Sequence, residues 1–184
     1  MFQLLKIGFG PSTNITDYVA GEREAFQSKA FTAVDSLILS QLSYLHFDGI
    51  VPDSIREAPV TIQEIARCGI PEALFRDMRD NGSNRRLFAA LTQSPRFCNI
   101  GLAFYRNRLD FEMEKQFSAV TCLLGDGTAY VAYRGTDSTF VGWKEDFNMA
   151  FMTPVPSQQE GAAYLNLVGH EFSRDIRVGG HSKG

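Results

Sequence analysis

Asp175-Ile176-Arg177-Val178-Gly179-Gly180-His181-Ser182-Lys183-Gly184 reads as a short strand running straight into a Gly-X-Ser-X-Gly turn. A serine at such a corner takes strained dihedrals and lifts its hydroxyl clear of the sheet. Side chains two positions away on either side would collide, so glycine is expected at both Gly180 and Gly184. Ser182 is the candidate nucleophile, and the backbone N–H of Lys183 is one candidate donor to an oxyanion. The five-residue pattern alone is weak; its weight comes from the capped helix and apolar strand that precede it.

Working outward, Ala129-Tyr130-Val131-Ala132-Tyr133 is an apolar run of the kind a buried strand shows. Gly125-Asp126-Gly127-Thr128 is a hairpin turn, so Glu114–Leu124 should pair antiparallel with Ala129–Tyr133. Phe97–Tyr105 is a further strand candidate. A helix is expected over Gly142–Phe151 around Trp143 and Phe147, broken by Pro154-Val155-Pro156. Ser157-Gln158-Gln159-Glu160 reads as a capping box opening a helix to about Val168.

The preceding half reads helical. Asn14 or Thr16 caps a helix over Asp17–Lys29. Phe31, Val34, Leu37, Ile38, Leu42 and Leu45 then recur on one helical face, and Gly49 and Pro52 stop it. Thr61-Ile62-Gln63-Glu64 is a capping box for a helix that Gly69 ends. Pro71 starts a short helix over Glu72–Met78, and Asn81-Gly82-Ser83 turns into another that stops before Pro95. The shift in character near Pro95 divides a helical N-terminal layer (1–95) from the first half of an α/β core (96–184), within one structural domain. There is no internal repeat.

The 184 residues, 44% hydrophobic with fifteen Phe, suffice for one core, and the net charge of −3 argues against a nucleic-acid partner. The cysteines Cys68, Cys98 and Cys122 and the three histidines form no metal-ligand pattern, so no metal or cofactor is expected and the thiols read as buried and free. No stretch of about 18 apolar residues could span a membrane, and the N-terminal apolar run is too short for a signal segment, which makes a cytoplasmic location the expectation.

Two motifs together carry a resemblance. Tyr130-Val131-Ala132-Tyr133-Arg134-Gly135-Thr136-Asp137 followed by Val141-Gly142-Trp143-Lys144-Glu145-Asp146-Phe147, and then the Gly-His-Ser-Lys-Gly turn, resemble the class 3 lipases in order and spacing. The match covers about Val120–Gly184, with a softer likeness of Ser40-Gln41-Leu42-Ser43-Tyr44-Leu45 to an N-terminal helix of that group's bacterial lipase-like branch. The resemblance implies an incomplete α/β-hydrolase sheet under a helical layer, and a carboxylic-ester hydrolase acting through an acyl-enzyme on Ser182. It implies Thr136 as the second oxyanion donor, and Gly135 agrees physically because it lets the backbone approach the substrate. Arg134, at a strand end, needs a carboxylate, with Asp146 or Glu145 on the next helix as candidates, and is expected to clamp the oxyanion loop. Trp143 is expected in the core.

Lys183 departs from the lipase pattern, which has an apolar residue there. A cation at a helix start opposes the dipole, so Lys183 should meet an anion, either on the substrate or on a nearby acidic side chain. The histidines are read as structural, with the His181 ring turned away from the nucleophile. All three precede Ser182, whereas in this fold the acid and base follow the serine. The chain is therefore expected to be an inactive fragment of an enzyme for a small-molecule or lipid ester. Thioester or amide substrates are equally open. The alternatives are a non-catalytic binding or regulatory module, and a recruitment surface on the Phe31–Leu45 stripe.

Overall fold

The computed structural model describes residues 14–184 except 77, 79 and 137–139. Part of the Asp137 motif thus lies outside the described residues.

The N-terminal layer contains α1 (Ile15–Gly21), α2 (Ala33–Leu42), α3 (Ile62–Arg67), a 3-10 turn (Glu72–Phe75) and α4 (Asn81–Gln93). Capping chemistry sets their starts. Asn14, Thr32 and Thr61 each accept from the third helical amide, while Asp17, Asp35 and Glu64 reach back to the cap amide. Helix α1 stops at Gly21, eight residues before the Lys29 expected from the sequence. The reason is Arg96, which gathers the carbonyls of Glu24, Lys29 and Ala30 at 2.9–3.1 Å and holds that segment as a loop. The same guanidinium donates through Nε and Nη2 to the carboxylate of Asp35 at 2.9 and 2.7 Å, with both side chains fully buried. Asp80 caps α4, so the Asn81-Gly82-Ser83 stretch expected as a turn is its first helical turn.

The sheet has five strands in sequence order: β1 (Val60–Thr61), β2 (Gly101–Asp110), β3 (Lys115–Leu123), β4 (Ala129–Tyr133) and β5 (Ile176–Gly180). The first four pair antiparallel, with the expected hairpin between β3 and β4. β5 lies parallel to β4, Tyr133 opposite Gly180, after a crossover through α5 (Phe140–Asn148) and α6 (Pro156–Glu171). The chain thus has mixed α/β content around a mixed sheet. β1 comes from within the stretch read as purely helical.

Both faces of the sheet are covered. Leu102, Val120, Cys122, Tyr130 and Ala132 face Ile38, Leu39 and Leu42 of α2 and the rest of the N-terminal layer. Phe117, Ala119 and Val131 lie under Tyr164 and Val168 of α6. The stripe from Phe31 to Leu45 is therefore core, with Leu37 left 47% exposed, and it is not a recruitment face. A bulge in β2 between Ala103 and Arg106 lets Phe104 join Tyr164 on one face and Tyr105 join Phe47 on the other. Phe104 takes a φ of 48° to do so.

The end of the crossover departs from the sequence reading in two ways. Pro156 fixes the first turn of α6, so the helix begins before the Ser157 box, and Gln158 rather than Glu160 reaches back, to the amide of Val155. Helix α5 buries Val141, Gly142 and Glu145 and leaves Trp143 58% exposed, so Trp143 is a surface residue and not core. Cys68 is likewise exposed, while burial pushes the Cys122 thiol up to about 12. Among the described residues no helix is long and apolar enough to cross a membrane.

Candidate functional site

Beyond β5 the chain folds back at once. The Gly184 amide donates to the carbonyl of His181 at 3.2 Å, closing a four-residue turn. Within it Ser182 has a φ of 63°, a left-handed conformation that a residue with a Cβ adopts only under constraint, and it is exposed.

The turn closes so tightly that three glycines become obligatory. A Cβ on Gly180 would strike the Gly184 carbonyl, and one on Gly184 would strike the end of β4, 2.9 Å from the Arg134 carbonyl carbon. A Cβ on buried Gly135 would come within 2.6 Å of Ser182 Cβ and 2.7 Å of Tyr44 Oη. The loop leaving β4 and the turn leaving β5 therefore touch, which brings the Gly135-Thr136 peptide beside Ser182.

Helix α5 locks this arrangement from one side. Lys183 Nζ donates to Glu145 Oε2 at 2.9 Å and lies 3.5 Å from Asp146 Oδ1. Glu145, fully buried, also accepts from the amides of Gln116 at 3.0 Å and Ser157 at 2.9 Å, so one carboxylate joins β3, α6 and the turn. Burial raises its proton affinity, yet the Lys183 ammonium and the two amides together hold its carboxyl below the ordinary value. Asp146 accepts a short hydrogen bond from Thr136 Oγ1. Thr136, Asp146 and Lys183 thus form one chain of contacts around Ser182.

Arg134 points elsewhere. Its Nη2 donates to Asn107 Oδ1 at 3.0 Å, and Asn107 Nδ2 in turn donates to Asp48 at 3.2 Å, while Asp146 and Glu145 engage Thr136 and Lys183. Alternation along the strand explains this. Tyr133 packs toward α6, so its successor turns to the opposite face, while α5 sits with the start of α6. The anion expected for Lys183 is protein-borne, the pair Glu145 and Asp146.

The histidines stand apart from the Ser182 hydroxyl's chemistry. His181 Nδ1 lies 2.9 Å from Tyr44 Oη, its ring edge-on to the tyrosine at 5.3 Å. His170 is exposed beside Glu171 near the start of β5, where its neighbour Gly169 lies against Ile176, at the far end of the strand from the turn. His46 lies 3.9 Å from Asp48. Sequence reasoning missed Tyr44 as a neighbour of the turn and Glu145 as its anchor; their separations of 137 and 38 residues left no local signal.

A family model described as Mbeg1-like matches residues 91–184. The chain belongs to the Mbeg1-like family. The matched half begins near the end of α4 and takes in β2 to β5 and the whole Ser182 turn. This is neither a lipase nor an α/β-hydrolase family, so the class 3 lipase resemblance is overturned, and the hydrolase and lipase labels taken from it fall too. No curated protein and no solved structure matches the chain.

Proposed function

We propose that Ser182 is a nucleophile that attacks a carboxylic ester or related acyl carbonyl and carries the acyl group as a serine ester. The observation behind this reading is the left-handed Ser182 in a turn whose tightness excludes a Cβ at positions 180, 184 and 135. Strain of this kind costs of order 1–3 kcal/mol and persists where the surroundings enforce it, as they do here. The reading rests on that geometry and not on the withdrawn resemblance.

In the reaction, Ser182 Oγ attacks the carbonyl carbon, the carbonyl oxygen becomes anionic, and the serine proton passes by way of water to the departing alkoxide. The amides of Thr136 and Lys183 stabilise the carbonyl oxygen, and collapse of the adduct expels the alcohol. Asp146 and Glu145 hold the two donors from behind. The Lys183 ammonium, engaged by both carboxylates, is a structural cation and leaves substrate charge unselected. His181 is committed to Tyr44 and His170 sits at the other end of β5, so neither is placed to take the Ser182 proton.

A fluorophosphonate probe tests the assignment on the folded protein. Labelling at Ser182, lost in Ser182→Ala, supports a nucleophile. An unlabelled, folded protein would mean that the turn belongs to a non-catalytic binding or regulatory module.

A further inference from the structure

We propose that Tyr44, from the N-terminal helical layer, is a positioning residue for the Ser182 site; the inference rests on the nucleophile assignment above. Its hydroxyl is a single group beside both the turn and the loop of the site. It lies 2.9 Å from His181 Nδ1 and 3.5 Å from the His181 carbonyl, on the turn that carries Ser182. It also lies 2.7 Å from where a Cβ on Gly135 would stand, on the loop that carries Thr136.

The strand ladder cannot set this spacing by itself. β4 and β5 are in register only as far as Tyr133 and Gly180, and both Thr136 and Ser182 lie beyond that last pair. An oxyanion donor must be held within about 0.5 Å of its working position, which demands contacts outside the ladder. Lys183, Glu145, Asp146 and Thr136 supply them on the α5 side. Tyr44 supplies them on the α2 side.

Tyr44 is itself well placed for this, because it follows directly on a helix fixed to the sheet. Ser36 and Ser40 of α2 each lie 2.8 Å from the Tyr130 hydroxyl of β4. A Cβ on Gly179 would stand 2.9 Å from Tyr130 Cζ and 3.1 Å from Ser36 Oγ, so α2, β4 and β5 meet with no slack. The N-terminal layer lies largely outside the family-matched residues 91–184, yet it contributes this contact to their site.

The test uses the full chain, with Tyr44→Phe, His181→Phe and the double variant. Tyr44→Phe keeps the ring and removes the hydroxyl. It should slow fluorophosphonate labelling of Ser182 about five-fold, the scale of one lost hydrogen bond, with the thermal midpoint little changed. His181→Phe reaches the same contact from the other side and should show a similar loss. The double variant should lose no more than Tyr44→Phe alone, since the His181 ring contact is one of those the tyrosine hydroxyl makes. The imidazole nitrogen resonances of His181 should shift in Tyr44→Phe. Wild-type labelling rates in Tyr44→Phe, multiplying losses in the double variant, or unmoved His181 resonances would overturn the inference while leaving the nucleophile standing. An unlabelled wild type would overturn both.

Discussion

Lys183 Nζ lies 2.9 Å from Glu145 Oε2 with both side chains withdrawn from water, at 9% and 0% exposure. An ion pair in that setting gives little stability over a well-packed apolar pair, but breaking it strands a charge. Its value here is geometric, because one end is the residue after Ser182 and the other is tied to the starts of β3 and α6.

Lys183→Met should therefore destabilise the chain by about 3–5 kcal/mol in chemical denaturation, since Glu145 is left buried without its counter-ion. Adding Glu145→Gln should recover much of that loss. Equal damage from the single and the double variant would show that the pair is not coupled.

Acid should reveal the same carboxylate. The Glu145 carboxyl is held below its ordinary value of 4.5 in the folded chain, so its contribution is present above that value. It is lost as the pH falls through the folded value, where the unfolded chain already binds the proton. The stability gap between wild type and Glu145→Gln should be flat from about pH 8 to 5 and close below about 4.5. A gap that stays constant down to pH 3 would contradict the linkage.

At Gly135 the smallest possible side chain is already too large. Gly135→Ala would drive a methyl to within 2.6 Å of Ser182 Cβ and 2.7 Å of Tyr44 Oη. The loop must move away, costing about 1–3 kcal/mol and separating Thr136 from Ser182. Fluorophosphonate labelling should fall by more than about a hundred-fold, consistent with loss of an oxyanion donor. Labelling near the wild-type rate would show that Thr136 is not needed where it stands.

Ser182 gives a test by sign. At ordinary positions alanine is more stabilising than glycine, but at a φ of 63° the order should invert. Ser182→Gly should exceed Ser182→Ala in stability by about 1 kcal/mol, read by thermal or urea denaturation. The ordinary order would show that the turn relaxes in solution.

Much of this fold was legible because the chemistry that sets it is local. The Thr61 and Glu64 box, the Gly125–Thr128 hairpin and the Gly180–Gly184 turn each carry their signal within a few residues. What was illegible depends on distant partners. The bulge that sends Phe104 and Tyr105 to opposite faces depends on Tyr164 and Phe47 to receive them. Trp143 was expected in the core, yet α5 is oriented by Glu145, whose donors come from β3, α6 and the turn. Lys183 was seen to need an anion, and the identity of that anion was beyond reach, as was Tyr44. The class 3 lipase likeness rested on a strand end and a turn, too few residues to fix a family.

The same long-range ties make the Ser182 corner a reporter for the whole polypeptide. Its contacts reach back 38 residues to Glu145 and 137 to Tyr44, so its final shape exists only when both ends of the chain are in place. A reagent that recognises Ser182 in that shape would count correctly assembled molecules, and a lesion far away in α2 would register there as silence.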